Sequence, residues 1–98
     1  MQIQHNKDLH QFSVEINGYK ALVNYLIQDG ALDIDETFVP KEIGGRGIAS
    51  ALVKAAYDYA LSQGLKCKGT CSYAAVWLER HSEYNSDKTQ NILNKLVH

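Results

Sequence analysis

Proline is almost missing from this chain: Pro40 is the one residue of its kind in 98. That excludes a polyproline or Pro-rich linker architecture. Cysteine is scarce as well, Cys67 and Cys71 alone, so a disulfide-stapled secreted scaffold cannot be assembled. Neither sign of charge dominates. Ten Lys and Arg stand against eleven Asp and Glu, well mixed along the chain, which argues against the clustered basic footprint that binds nucleic acid or an anionic membrane surface. No stretch approaches the roughly 20 apolar residues of a membrane span. The opening residues Met1 to Asn6 lack the basic start and apolar run of a secretory leader. The expectation is a cytoplasmic protein with reduced thiols.

What is present is ordinary globular material. Apolar residues make up 45% and charged residues 21%, which excludes wholesale disorder. The length leaves room for one domain, 1–98, with one core. So small a domain is mostly scaffold, and any site must be built from few residues.

The two cysteines fall in a segment that reads as a strand. Four residues apart there, they would share a face at roughly 13 Å, given ~3.3 Å per residue. A disulfide needs Cα atoms within about 7 Å. Without a second Cys/His pair at suitable spacing they are not a zinc site either, and His5, His10, His81 and His98 form no ligand motif. No metal is expected.

The first forty residues read as an antiparallel meander. Gln11–Ile16 alternates, with Phe12, Val14 and Ile16 on one face, and Asn17-Gly18 follows as a hairpin turn. Tyr19–Ile27 is the second strand, Asp29-Gly30 a second turn, and Leu32–Val39 the third strand. Its alternation slips near Glu36, as a bulge would make it do; Thr37 or Val39 then points inward with Leu32 and Ile34. Pro40 ends it, having no N–H for the ladder. Helical spacing of Ile48, Leu52, Val53, Ala56, Tyr59 and Ala60 predicts a helix from Ile48 to about Gln63, stopped at Gly64. Leu65–Cys71 reads as a strand parallel to the third, Ala74–His81 as a short helix, and about Lys88 to Val97 as a last helix capped by Ser86 or Asp87. The expected architecture is α/β: a mixed sheet formed by an antiparallel β-meander followed by α-β-α-α, in a single domain.

Three of the seven glycines sit between the third strand and the long helix, in Gly44-Gly45-Arg46-Gly47-Ile48-Ala49. The first turn of a helix offers unpaired N–H groups and partial positive charge. Glycines let a phosphate approach the backbone closely, Arg46 and Lys41 add cationic contacts, and the small Ala49 and Ser50 leave the helix start clear. Together these suit a pyrophosphate. A plain tight turn is the bland alternative. The Walker pattern is excluded because Gly-Lys-Ser/Thr is missing. The dinucleotide fingerprint is excluded by glycine spacing and by the three hairpin strands before the loop.

The segment Phe38 to Ala49 resembles the Arg/Gln-x-x-Gly-x-Gly/Ala signature of the GNAT superfamily of N-acetyltransferases. More narrowly, the chain is similar to the GNAT-like proteins of about a hundred residues. Val39-Pro40, Gly45–Ala49, Cys71-Ser72-Tyr73 and Trp77-Leu78-Glu79-Arg80-His81-Ser82-Glu83-Tyr84 correspond to that family's segments. The chain departs from the pattern in three places. Gly44 stands where the superfamily has Arg or Gln, Ser82 replaces a Pro, and Glu79 occupies the place of the Tyr that acts as acid in larger members.

The resemblance implies coenzyme A or acetyl-CoA as cofactor. Backbone groups of Phe38 and Val39 would hold the pantetheine arm between two splayed strands, and Gly44 to Ala49 the pyrophosphate, with the backbone of Gly44 still contributing. The thioester would then lie near Cys71, Ser72 and Tyr73. Cys71 is expected either to relay the acetyl group, with His81 as adjacent base, or to line the cofactor site. In direct transfer the base is His81, Glu79 or Asp33. Arg80 either reaches a cofactor phosphate or pairs with Glu79 or Glu83. Two activities follow: an N-acetyltransferase acting on an unidentified amine, small molecule or protein, or a non-catalytic module that binds acetyl-CoA or CoA. A third reading is an interaction domain that kept the fold and lost the cofactor.

Overall fold

The computed structural model describes residues 1–85. The helix expected from about Lys88 lies outside them. Chain order is β1 Gln4–Asn6, β2 Gln11–Ile16, β3 Tyr19–Gln28, β4 Ala31–Phe38, a 3-10 turn Lys41–Ile43, α1 Ile48–Ser62, β5 Lys66–Gly69, α2 Ser72–Arg80 and a 3-10 turn Ser82–Tyr84. The strands form one sheet in the order β1-β2-β3-β4-β5, antiparallel except for the parallel β4–β5 pair. The mixed α/β sheet anticipated from the sequence is present.

Both tight hairpins use a left-handed pair, Asn17-Gly18 and Asp29-Gly30, whose positive φ matches the twist of the flanking strands. Alternation then sends Phe12, Val14, Ala21, Val23, Tyr25, Leu32 and Ile34 to one face, where all are buried. The helices cover that face: α1 packs across β2 to β5, and α2 packs beside it on β5 and β4. The opposite face is open, crossed by a ladder in which Gln11 Nε2 donates to Asn24 Oδ1 and Asn24 Nδ2 to Glu36 Oε1.

The slip expected near Glu36 is a bulge. Asn24 pairs with Glu36 but Tyr25 with Ile34, so Asp35 is surplus. Past that point Thr37, opposite the buried Val23, shares the helix-covered side, while Phe38, opposite Leu22, is 53% exposed.

Four expectations need correction. β1 was not anticipated, because Gln4-His5-Asn6 carries no apolar alternation; its one inward residue, His5, stacks on Phe12 with ring centroids 3.9 Å apart. In α1 the fully buried aromatic is Tyr57, whose hydroxyl donates to the Lys68 carbonyl at 2.7 Å, and Tyr59 is only half-buried. The last parallel strand stops at Gly69 rather than Cys71. The two thiols therefore do not share a strand face: Cys67 faces the core and Cys71 caps α2. Gly69 is required by proximity, since a Cβ there would sit 2.8 Å from the Ala74 Cβ and 2.9 Å from the Ala75 amide. α2 lies that close to β5.

Candidate cofactor groove

The β4–β5 ladder ends at Ile34 opposite Gly69. Beyond it the amides of Thr70 and Cys71 both turn onto the Ile34 carbonyl, at 3.1 and 3.2 Å. Asp33 fixes that turn: its two carboxylate oxygens accept the Thr70 amide at 2.8 Å and the Thr70 hydroxyl at 2.5 Å. β5 is thereby diverted into α2 while β4 runs on to Phe38, so the two strands splay. Thr37 and Cys71 face each other across the opening, hydroxyl to Sγ 3.3 Å. Cys71 Sγ also accepts the Ala74 amide at 3.4 Å, as the N-cap of α2.

At the open end, Pro40 leads into the 3-10 turn, which buries Ile43 and so anchors the glycine loop to the core. Gly45 and Gly47 follow with φ of 75° and 71°, values that favour glycine strongly. Gly47 is the N-cap of α1 and has no side chain to cap with. The consequence is specific. Among the described residues, the amides of Gly45 and of Gly47 to Ser50 have no acceptor. A Cβ built at Gly45 or Gly47 would meet nothing within 4 Å, and Gly45, Gly47, Ile48, Ala49 and Ser50 all line an open cleft. No acidic residue sits in the first turn of α1 to oppose an anion there.

Two clefts flank this loop. One, of about 270 Å³, is lined by Val39, Ile43, Gly44, Gly45, Gly47, Ile48, Ala49, Ser50 and Tyr73. The other, of about 470 Å³, lies between Ser50 and α2, and Ser50 and Tyr73 belong to both. Trp77 forms the wall: its indole N–H donates to Ser50 Oγ at 2.9 Å, and its ring packs on Tyr57 and Tyr84.

Most residues singled out in the sequence meet here, with exceptions. Val39, Gly44, Gly45, Gly47, Ile48, Ala49, Ser50 and Tyr73 line the smaller cleft, and Ser72, Arg80 and His81 the larger. Phe38 turns its ring to the far face of the sheet and lines neither cleft. Lys41 and Arg46 are exposed and outside both clefts. The backbone N–H of Gly44 is spent on the Lys41 carbonyl at 3.1 Å, so the free amides begin one residue later than expected. Arg80 pairs with neither Glu79 nor Glu83; the ion pair among the described residues is Lys54–Asp58.

The expected Cys71–His81 partnership is not formed. The two residues cap opposite ends of α2, which separates them by about 15 Å of helix axis at ~1.5 Å per residue. His81 instead donates Nδ1–H to the Trp77 carbonyl at 2.8 Å and stacks on the Trp77 ring at 3.8 Å, leaving Nε2 as an acceptor. Asp33 is not a free base either, with both oxygens holding Thr70. At Cys67, burial first and the Asp58 charge second push the thiol up to about 11, so it stays protonated and inert.

Sequence reasoning missed Thr37 as the partner of Cys71, and Trp77 with Ser50 as the wall. The slip at Glu36 signalled the first, since it fixes which side Thr37 takes. Nothing local signalled the second, a contact between residues 27 apart in the chain.

Comparisons with known proteins agree with this geometry. The protein called NATD1 is 34% identical over 89 residues in Danio rerio, covering 86% of this chain and 81% of that protein. The Homo sapiens NATD1 is 32% identical over 84 residues, covering 83% of this chain and 74% of its own. The NMR solution structure of a GCN5-like protein from Staphylococcus aureus superposes with a TM-score of 0.66 at 29% identity, covering 85% of this chain and 82% of that one. Residues 11–87 match the family model described as GCN5-related N-acetyl-transferase. With its splayed parallel strands and uncapped glycine loop, this chain belongs to the GCN5-related N-acetyltransferase family.

Proposed function

We propose that this protein binds acetyl-CoA in the groove between β4 and β5 and transfers its acetyl group to an amine. One observation carries the reading: the amides of Gly45 and of Gly47 to Ser50 have no acceptor among the described residues, and these residues line an open cleft. A run of unpaired donors at a helix start matches a diphosphate in charge and shape. The residues present fit the cofactor. Val39 and Tyr73 wall the path from that cradle toward the strand split, where Thr37 and Cys71 meet. Bound there, the coenzyme supplies an activated acetyl thioester.

The chain's own residues favour direct attack by the amine over a cysteine relay. A relay needs a base beside the thiol. The described partners of Cys71 are a hydroxyl and an amide N–H, and His81 is a helix length away. Cys71 and Thr37 on this reading shape and line the thioester end of the groove. The non-catalytic alternative keeps the same cradle and lacks turnover.

The test is thiol release from acetyl-CoA against a panel of amines, with Cys71→Ser alongside. Serine caps a helix as well as or better than cysteine, so α2 stays in place while the thiol is lost. Turnover that persists in Cys71→Ser supports direct transfer. Binding of acetyl-CoA with no turnover on any amine assigns the protein to the binding-module class. Absence of binding removes the proposal.

A further inference from the structure

β1 has three residues, lies at the edge of the sheet and pairs with β2 alone. Its hold on the core is the ring of His5, helped by the partly buried Ile3 just before the strand. That ring stacks on Phe12 at 3.9 Å and meets Tyr59 edge-on at 4.4 Å. Its Nε2 lies 2.6 Å from the Tyr25 hydroxyl. Phe12, Tyr25 and Tyr59 belong to β2, β3 and α1, so one imidazole ties the edge strand to three elements. The charges around this aromatic socket are of one sign. Lys7 and His10, in the loop after β1, both act on His5 as positive charges. Lys7 Nζ stands 5.8 Å from the centroid of Tyr59, and the His10 ring stacks on Tyr25 at 4.9 Å. The other titratable groups facing His5 are the phenols of Tyr25 and Tyr59, while β2 presents Phe12. No carboxylate pairs with His5 among the described residues.

We propose that His5 is a pH-operated latch: its protonation releases β1 from the sheet while the rest of the fold stays closed, uncovering the edge of β2 and the ring of Phe12. A neutral imidazole suits a socket of three aromatic rings. An imidazolium does not, because burial penalises its charge first and Lys7 and His10 then repel it. Once β1 has left, the ring is back in water and takes its proton near the ordinary 6.5, so acid favours the released strand. Little else resists the release. A three-residue edge ladder has few buried contacts, and such segments open at a lower free energy than the core. Phe12, now 5% exposed, would then stand beside a new sheet edge. The latch is independent of the coenzyme reading.

Amide hydrogen exchange on the full chain at pH 7 and pH 5, corrected for intrinsic rates, decides this. The ladder between Gln4–Asn6 and Gln11–Ser13 should be less protected than the β3–β4 ladder at pH 7. By pH 5 it should have lost several-fold more of its protection, with the β3–β4 amides still protected. His5→Phe keeps a ring in the socket that cannot take a proton, so its β1 should hold at both pH values. Lys7→Gln, a change at an exposed side chain, removes one of the two repelling charges and should lessen the acid loss. Equal protection of the β1 and β3–β4 ladders at both pH values overturns the latch, since the strand then leaves only with the whole fold. So does β1 protection that ignores pH, or a His5→Phe variant that loses it as wild type does.

Discussion

The indole N–H of Trp77 donates to the hydroxyl of Ser50 at 2.9 Å, and that bond ties α2 to the first turn of α1. Trp77 is almost wholly buried, so its N–H has no ready substitute. Ser50→Ala should cost about 1–3 kcal/mol, the penalty for an unsatisfied buried donor. Trp77→Phe removes the donor, so the double variant should lose less than the sum of the singles. Urea denaturation of all four proteins measures the coupling, and strict additivity would show that the bond carries no energy.

Gly47 separates backbone strain from ligand contact. Its φ of 71° is hostile to a β-branched residue, although the space around its Cβ is empty. Gly47→Val should lower stability by about 1–3 kcal/mol through strain, and abolish the thermal shift produced by CoA. Gly47→Asn, which tolerates the left-handed region, should recover most of the stability. Equal loss in both variants would mean that conformation is not the constraint.

Gly69 makes the opposite case, since its backbone is unstrained and the room is missing. Gly69→Ala puts a methyl 2.8 Å from the Ala74 Cβ and 2.9 Å from α2 backbone atoms. Overpacking of that kind costs about 1–3 kcal/mol. A fall in Tm of several degrees is expected, roughly the scale for a domain of this length. An unchanged melt would show that α2 can retreat freely.

His5 gives the protein a pH-dependent term. Burial first, then the positive charges of Lys7 and His10, hold its imidazole below the ordinary 6.5. Its Nε2 contacts the Tyr25 hydroxyl at 2.6 Å, and its ring lies against Phe12 and Tyr59. A histidine with a lowered folded pKa binds its proton more readily in the unfolded chain. The stability it confers is therefore present above 6.5 and declines as pH falls through 6.5 toward the lower folded value. Urea midpoints should drop between pH 7 and 5, and His5→Gln should flatten that slope. A slope unaltered by the substitution would assign the effect to other groups.

Much of this was readable in the sequence where neighbouring residues decide the outcome. Asn17-Gly18 and Asp29-Gly30 dictate their turns through local backbone preference, and the spacing from Ile48 to Ala60 carries its own helix. The glycine loop was legible because its chemistry is local too. Elements decided by distant partners were not. β1 exists because His5 finds Phe12, Tyr25 and Tyr59. β5 stops early because Asp33 captures Thr70, 37 residues away in the chain. The mistaken pairing of Cys71 with His81 has the same origin: nearness along the chain concealed a rigid rod between them.

Asp35 has a consequence out of proportion to its size. Strand residues alternate sides, so one surplus residue inverts the parity of everything after it. Were Asp35 paired in register instead of bulged, Thr37 and Val39 would trade places with Glu36 and Phe38. A hydroxyl and a small aliphatic would leave the helix side, and a carboxylate and a large ring would take their positions. The character of the groove thus depends on whether β4 bulges at Asp35, as much as on which amino acids compose it.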